Sequence, residues 1–242
     1  MSSIQPSIFE LPFGTSLLRG DRYPGECNAV VLHGAGQSSR ERFARLRRSL
    51  YNKGMPSVSF DFIGHGETGG SLLGSTLHSR TEQASAVIQH AGREPLTLIA
   101  ASMSGYTAIK LLKFFAVEHL ILLVPAVYTH RAYDIPFGSA FSTAIRKPGS
   151  WRDSDAFRIL PAFKGNLLII AAESDDVIPR EVIERIYAAA DNARVRHRHI
   201  VPGSRHGSLF PRDRDFHLAL DMITSTCRKT KDNRAIKRPP QP

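Results

Sequence analysis

An α/β chain built on a mostly parallel, doubly wound sheet is predicted here, and three observations predict it. Short apolar runs of strand type alternate with helical patterns along most of the chain. Several of those runs stop in turns rich in Gly, Ser, Asp or His, so polar groups collect where strands end. A length of 242 residues is enough for one such domain with a full core.

The elements follow in order. Residues 1 to about 27 give weak strands, of which Ser16-Leu-Leu-Arg19 is the clearest, interrupted by Gly20 and Pro24. Ala29-Val-Val-Leu32 is a buried-type strand that runs into His33-Gly34-Ala35-Gly36, and a helix of about 39–52 follows. That helix carries Phe43, Leu46 and Leu50 on one side and Arg40, Arg42, Arg45, Arg47 and Arg48 on the other, which suggests a solvated basic face. Pro56-Ser-Val-Ser-Phe60 is the next strand, followed by Asp61-Phe-Ile-Gly64-His65-Gly66-Glu67 and a helix of about 77–91. The strand beginning at Leu96 leads to Ser102 and a helix of 104–116, and His119–Val124 forms another strand. Asn166–Ile170 and Val195–Val201 are the last two strands, separated by a helix that Pro179 opens. The final helix is expected from about Asp213 to Cys227.

The alternation lapses between about 126 and 163. This insertion holds Tyr128, Tyr133, Phe137, Phe141, Trp151 and Phe157 among glycines, prolines and charges. Irregular segments of this length inside a domain are usually functional or disordered, and the aromatic content argues against disorder. A small lid is expected, with Tyr128, Phe137, Phe141 and Trp151 as candidate substrate-binding residues.

Composition narrows the function. Hydrophobic residues at 42% and charged residues at 22% fit a soluble globular chain. No basic segment followed by a long apolar run opens the sequence, and no stretch is long enough to span a bilayer, so a cytoplasmic location is expected. Cys27 and Cys227 have no metal-ligand spacing, and no histidine and carboxylate cluster has one either; no metal and no cofactor are expected. Half of the net charge of +10 lies in residues 228–242, where six basic residues face one acidic one. That stretch is expected to be a disordered, solubilising tail after a single domain of 1–227, and nucleic-acid binding is not expected.

The stretch Ala100-Ala-Ser102-Met-Ser104-Gly105 carries the chemistry. Small residues at a strand-to-helix turn let the strand and helix approach closely and expose the serine hydroxyl above the sheet. In a parallel sheet, reactive groups gather outside the carboxyl ends of strands, and three such ends supply Ser102, then Asp175 or Asp176, then His206. Ser104 is a rival nucleophile, although it lies a step inside the helix.

Five segments, taken in order, resemble the α/β-hydrolase superfamily. His33-Gly-Ala-Gly36 looks like its oxyanion loop, Asp61-Phe-Ile-Gly-His-Gly66 its Asp-x-x-Gly-His-Gly segment, and Ala-Ser102-Met-Ser-Gly105 its nucleophile elbow. Asp175-Asp-Val-Ile-Pro179 resembles the acid loop and Gly203-Ser-Arg-His206-Gly207 the histidine loop. The run Ser57–Gly66 is most similar to small bacterial esterases of the cinnamoyl-esterase and monoacylglycerol-lipase-like kind. The elbow departs from the usual pattern at Ala100 and Ser104, where glycine is common.

The resemblance implies a Ser102–His206–Asp175 triad, with Asp175 preferred to Asp176 because the acid stands four residues before the proline. It implies that the backbone N–H groups of Ala35 and Met103 receive an oxyanion, and that an ester or thioester is cleaved through an acyl-enzyme. A small-molecule substrate is the expected partner. Acyltransferase or lactonase chemistry could use the same triad, and a non-catalytic binding protein could use the same fold.

Overall fold

The computed structural model describes residues 4–26 and 28–235, with side chains through Arg228. Cys27 and residues 236–242 therefore lie outside the described residues.

An eight-stranded sheet forms the centre, from β1 (Ser7–Phe13), β2 (Ser16–Arg22), β3 (Ala29–Leu32), β4 (Ser57–Phe60), β5 (Leu96–Ala101), β6 (Val117–Leu123), β7 (Asn166–Ala172) and β8 (Val195–Val201). Their spatial order is β1-β2-β4-β3-β5-β6-β7-β8. The first two strands make an antiparallel hairpin that adds antiparallel to β4, and every later pairing is parallel. The weak patterning before residue 27 thus corresponds to a sheet edge, which needs less apolar sequence than the centre.

Alternate residues of the parallel strands serve two cores, as the period of a strand demands. Val30, Leu98, Leu120 and Leu167 face one side, with α2 (Leu77–Ala91), α3 (Met103–Leu111) and α6 (Arg180–Ala189). Val31, Ile99, Ile121 and Leu168 face the other, against Leu46 and Leu50 of α1 (Ala44–Asn52) and Phe216, Leu220 and Ile223 of α7 (Asp213–Ala235). Every residue of β3, β5 and β7 is buried.

Some boundaries differ from expectation. The helix after the 33–36 loop begins as a 3-10 turn, Arg40–Phe43, before α1; α3 ends at Leu111, not 116; and the α7 backbone continues past Cys227 to Ala235. The basic face of the first helix is also only partly solvated. Arg40 and Arg47 are buried, Arg40 because it pairs with Asp21, Asp61 and Glu67 together.

The 126–163 insertion folds as short 3-10 turns with α4 (Ser139–Arg146) and α5 (Ala156–Ile159). It is bonded to both neighbouring helices. His78 N–H donates to the Tyr133 carbonyl at 3.0 Å, Tyr106 donates its hydroxyl to Asp155 at 2.5 Å, and Lys110 donates to the same carboxylate at 2.7 Å.

Candidate active site

The end of β5 turns sharply into α3 through Ser102, whose φ of 50° and ψ of −120° lie where side-chain-bearing residues rarely go. The surrounding backbone holds this conformation. Ser102 N–H donates to the Leu123 carbonyl at 2.9 Å, and its own carbonyl accepts from Gly105 at 2.8 Å and Ala126 at 3.0 Å. The strain is thus offset by a fixed turn that lifts the side chain out of the sheet.

His206 and Asp175 come from the loops after β8 and β7, and these loops are stitched together. Ser174 N–H donates to the Ser204 carbonyl at 3.0 Å, and Gly203 N–H donates to the Glu173 carboxylate at 2.8 Å. Arg42 adds a strut from the other side, donating to the Gly207 carbonyl at 2.5 Å. The result is a continuous chain of hydrogen bonds: Ser102 Oγ to His206 Nε2 at 2.9 Å, and His206 Nδ1 to Asp175 Oδ2 at 2.9 Å.

A carboxylate can only accept, so Nδ1 carries the ring proton and Nε2 is left to accept from the serine hydroxyl. The second oxygen of Asp175 accepts from the N–H groups of Val177 at 2.9 Å and Ile178 at 2.8 Å. Burial alone would raise this carboxyl, but the bonds from His206, Ile178 and Val177 outweigh it and hold the group below its usual range. Asp176 is exposed, whereas Asp175 makes the bond to His206. Ser104 is fully buried, and its hydroxyl is engaged by the His33 carbonyl and by Arg80.

Met103 follows the serine in the chain, and Ala35 follows Gly34, which lies against it. Met103 opens α3, so its N–H has no acceptor one turn back. Among the described residues neither this N–H nor that of Ala35 donates to a protein acceptor. Gly34 shows why the loop must lack a side chain: a Cβ there would stand 3.1 Å from the Ser102 Cβ.

The loop is anchored by His33. Its Nε2 accepts from Phe62 N–H at 3.1 Å and its Nδ1 donates to the Gly34 carbonyl at 2.8 Å. Asp61 secures the neighbouring loop, accepting from the N–H groups of Arg40 at 2.7 Å and Glu67 at 3.0 Å. A side chain at Gly66 would strike that carboxylate at 2.3 Å.

The candidate substrate-binding aromatics divide. Tyr128, Phe137 and Phe141 form one cluster, with Phe137 edge-on to Phe141 at 4.8 Å and Tyr128 at 5.9 Å from Phe141. Phe137 and Phe141 are almost wholly buried and Tyr128 is partly open. Trp151 sits apart, against Phe157 and the guanidinium of Arg185. Arg80 is the residue that sequence reasoning missed. It is buried on α2 behind the 33–36 loop, and nothing in an ordinary amphipathic pattern distinguishes it from a solvent-facing arginine.

No group of three or more His, Cys, Asp or Glu among the described residues is arranged to hold a metal ion. No helix among them is long and apolar enough to cross a membrane.

Residues 29–167 match the model of the alpha/beta hydrolase family. A comparison with curated proteins finds no match. Among solved structures, the monoacylglycerol lipase of Paleococcus ferrophilus is similar at a TM-score of 0.68 and 17% identity, over 86% of this chain and 99% of that one. An esterase of Pyrococcus furiosus gives 0.68 and 17%, over 92% and 93%. The thioesterase domain from the curacin biosynthetic pathway gives 0.68 and 14%, over 91% and 99%. At these identities the likeness is one of fold.

Proposed function

Because the chain belongs to the alpha/beta hydrolase family, we propose that it is a serine hydrolase that cleaves a carboxylic ester or thioester with an apolar or aromatic acyl part. The observation that carries this reading is the unbroken hydrogen-bond chain from Ser102 through His206 to Asp175. Lipase, esterase and thioesterase structures of the same fold support the substrate class.

Each step follows from that geometry. Ser102 Oγ attacks the acyl carbon while its proton passes to His206 Nε2, general-base help that contributes on the order of 10²–10⁴-fold. Asp175 stabilises the imidazolium and keeps the ring oriented. The carbonyl oxygen becomes an oxyanion and accepts from the N–H groups of Ala35 and Met103, where loss of one donor costs about 10²–10³ in rate. Collapse breaks the bond to the leaving group, which takes the proton from His206. Water then attacks the acyl carbon as its proton passes to the same nitrogen, and collapse releases the acid while Ser102 Oγ leaves and takes that proton back from His206.

The test is hydrolysis of p-nitrophenyl acetate and butyrate by the wild type and by Ser102→Ala, with fluorophosphonate labelling in parallel. The variant should lose about 10⁴-fold or more in kcat and all labelling. Equal turnover in the two proteins would sink the proposal. A wild type that refuses the label would point to a binding protein of this fold.

A further inference from the structure

Arg80 is buried to 1% exposure, yet among the described residues no carboxylate pairs with it. Its Nη2 faces three oxygens: the His33 carbonyl at 3.1 Å, the Gly34 carbonyl at 3.3 Å and Ser104 Oγ at 3.1 Å. Among the described residues its Nε and Nη1 find no hydrogen-bond partner, and the guanidinium carbon lies over the Phe62 ring, 3.7 Å from its centre. Desolvation of this charge is offset only by the Phe62 ring face and by the bonds of one nitrogen, and the ring alone would be served as well by an apolar side chain. What distinguishes an arginine here is the three oxygens it gathers.

Those oxygens belong to the two pieces of backbone that carry the proposed oxyanion donors. Nη2 has two hydrogens for three acceptors, so the bonds are shared, and loop and elbow are drawn to one point. Ser104 closes the cluster by donating its hydroxyl to the His33 carbonyl. The Gly34 carbonyl is the telling acceptor, since His33 Nδ1 and Arg80 both hold it on the buried side. A trans peptide is planar, with its N–H opposed to its C=O, so fixing the Gly34 oxygen turns the Ala35 N–H the other way.

We propose that Arg80 and Ser104 form a latch that sets the oxyanion hole, by pinning the Gly34–Ala35 peptide so that the Ala35 N–H faces the substrate carbonyl at Ser102. The inference rests on the acyl-transfer reading above and makes Arg80 a positioning residue, which touches no substrate. It also gives a reason for the serine at 104, where the usual elbow has glycine: the hydroxyl ties α3 to the loop that glycine would leave free.

The experiment measures Arg80→Met and Ser104→Ala on p-nitrophenyl butyrate, with active sites counted by fluorophosphonate titration. It adds inhibition by a trifluoromethyl ketone, whose adduct with Ser102 puts a negative oxygen where the oxyanion forms. Arg80→Met should lower kcat per titrated site by about 10–100-fold, with KM within about threefold and ketone affinity weakened in parallel. Ser104→Ala should show the same pattern at about 5–10-fold. A purely structural role would instead reduce the number of titratable sites and leave each survivor at full speed. Should Arg80→Met fail to fold, Ser104→Ala decides by the same split. Turnover per site within twofold of wild type in the folded variants, while Ser102→Ala is dead, overturns the latch and leaves the acyl-transfer reading standing. A wild type that neither turns over esters nor takes the label overturns both.

Discussion

His33 keeps both of its hydrogen bonds in only one protonation state. Nε2 accepts from Phe62 N–H while Nδ1 donates to Gly34, so a second proton would break the first bond and place a cation beside Arg80. Burial first, then Arg80 and His65, pushes the imidazole down to about 2. In the unfolded chain it titrates near 6.5. A group whose folded value is depressed contributes stability that is complete above the unfolded value and is lost as pH falls towards the folded one. Between pH 7 and pH 5 this single residue should therefore remove about 2 kcal/mol, because the unfolded chain takes up a proton that the folded chain refuses. Urea melts at the two pH values check it: His33→Asn should lose about 2 kcal/mol less than wild type over that interval, and equal losses would refute the assignment. The histidine was legible in the sequence as the first residue of the glycine-rich loop after a buried strand. Arg80 was not, since a helical period tells which side a residue faces but not that a charged one is buried and what oxygens await it.

The paired loops after β7 and β8 show what an element contributes beyond its own sequence. Asp175 and His206 are 31 positions apart in the chain, and the cross-bonds from Gly203 and Ser174 fix them before either meets Ser102. The ends of β5 and β7 were legible because each closes an apolar run with a polar turn, whereas β8, Val-Arg-His-Arg-His-Ile-Val, is a polar strand whose end is marked by the Pro202-Gly203 turn that follows it. The solvated face expected of the first helical segment holds for Arg42, Arg45 and Arg48 but not for Arg47 of α1 or Arg40 of the 3-10 turn, which are buried. Arg40 bridges β2, through Asp21, to the loop after β4, through Asp61 and Glu67. Asp61 is 1% exposed, so Arg40→Met should leave a buried carboxylate without its cation and cost about 3–5 kcal/mol. Chemical denaturation measures this directly. A cost under 1 kcal/mol would mean that the network behaves as an exposed ion pair does.

At the scale of the whole molecule, the sheet separates chemistry from charge. Ser102, Asp175 and His206 stand on the rim where the parallel strands end. Cys227 and Arg228 line a groove on the opposite rim with Asn28, Thr97 and His119, residues beside the beginnings of β3, β5 and β6. The six residues of β5 span about 20 Å at the rise of a strand, so Arg228 stands roughly that far from the candidate site. Over such a gap, twice the screening length at ordinary salt, a charge has little hold on an uncharged ester. Deleting residues 229–242 should therefore leave kcat/KM for p-nitrophenyl butyrate within twofold of the full chain at 0.1 M salt, although it removes five of the basic residues. The measurement is steady-state hydrolysis by the two proteins, with thermal melting to establish that the shortened α7 still caps its core. A loss of tenfold or more in a stably folded truncation would show that the two rims communicate. The same two proteins, compared between 0.05 and 0.5 M salt, should give parallel rates, since an effect confined to the full chain would require the basic segment to reach the substrate.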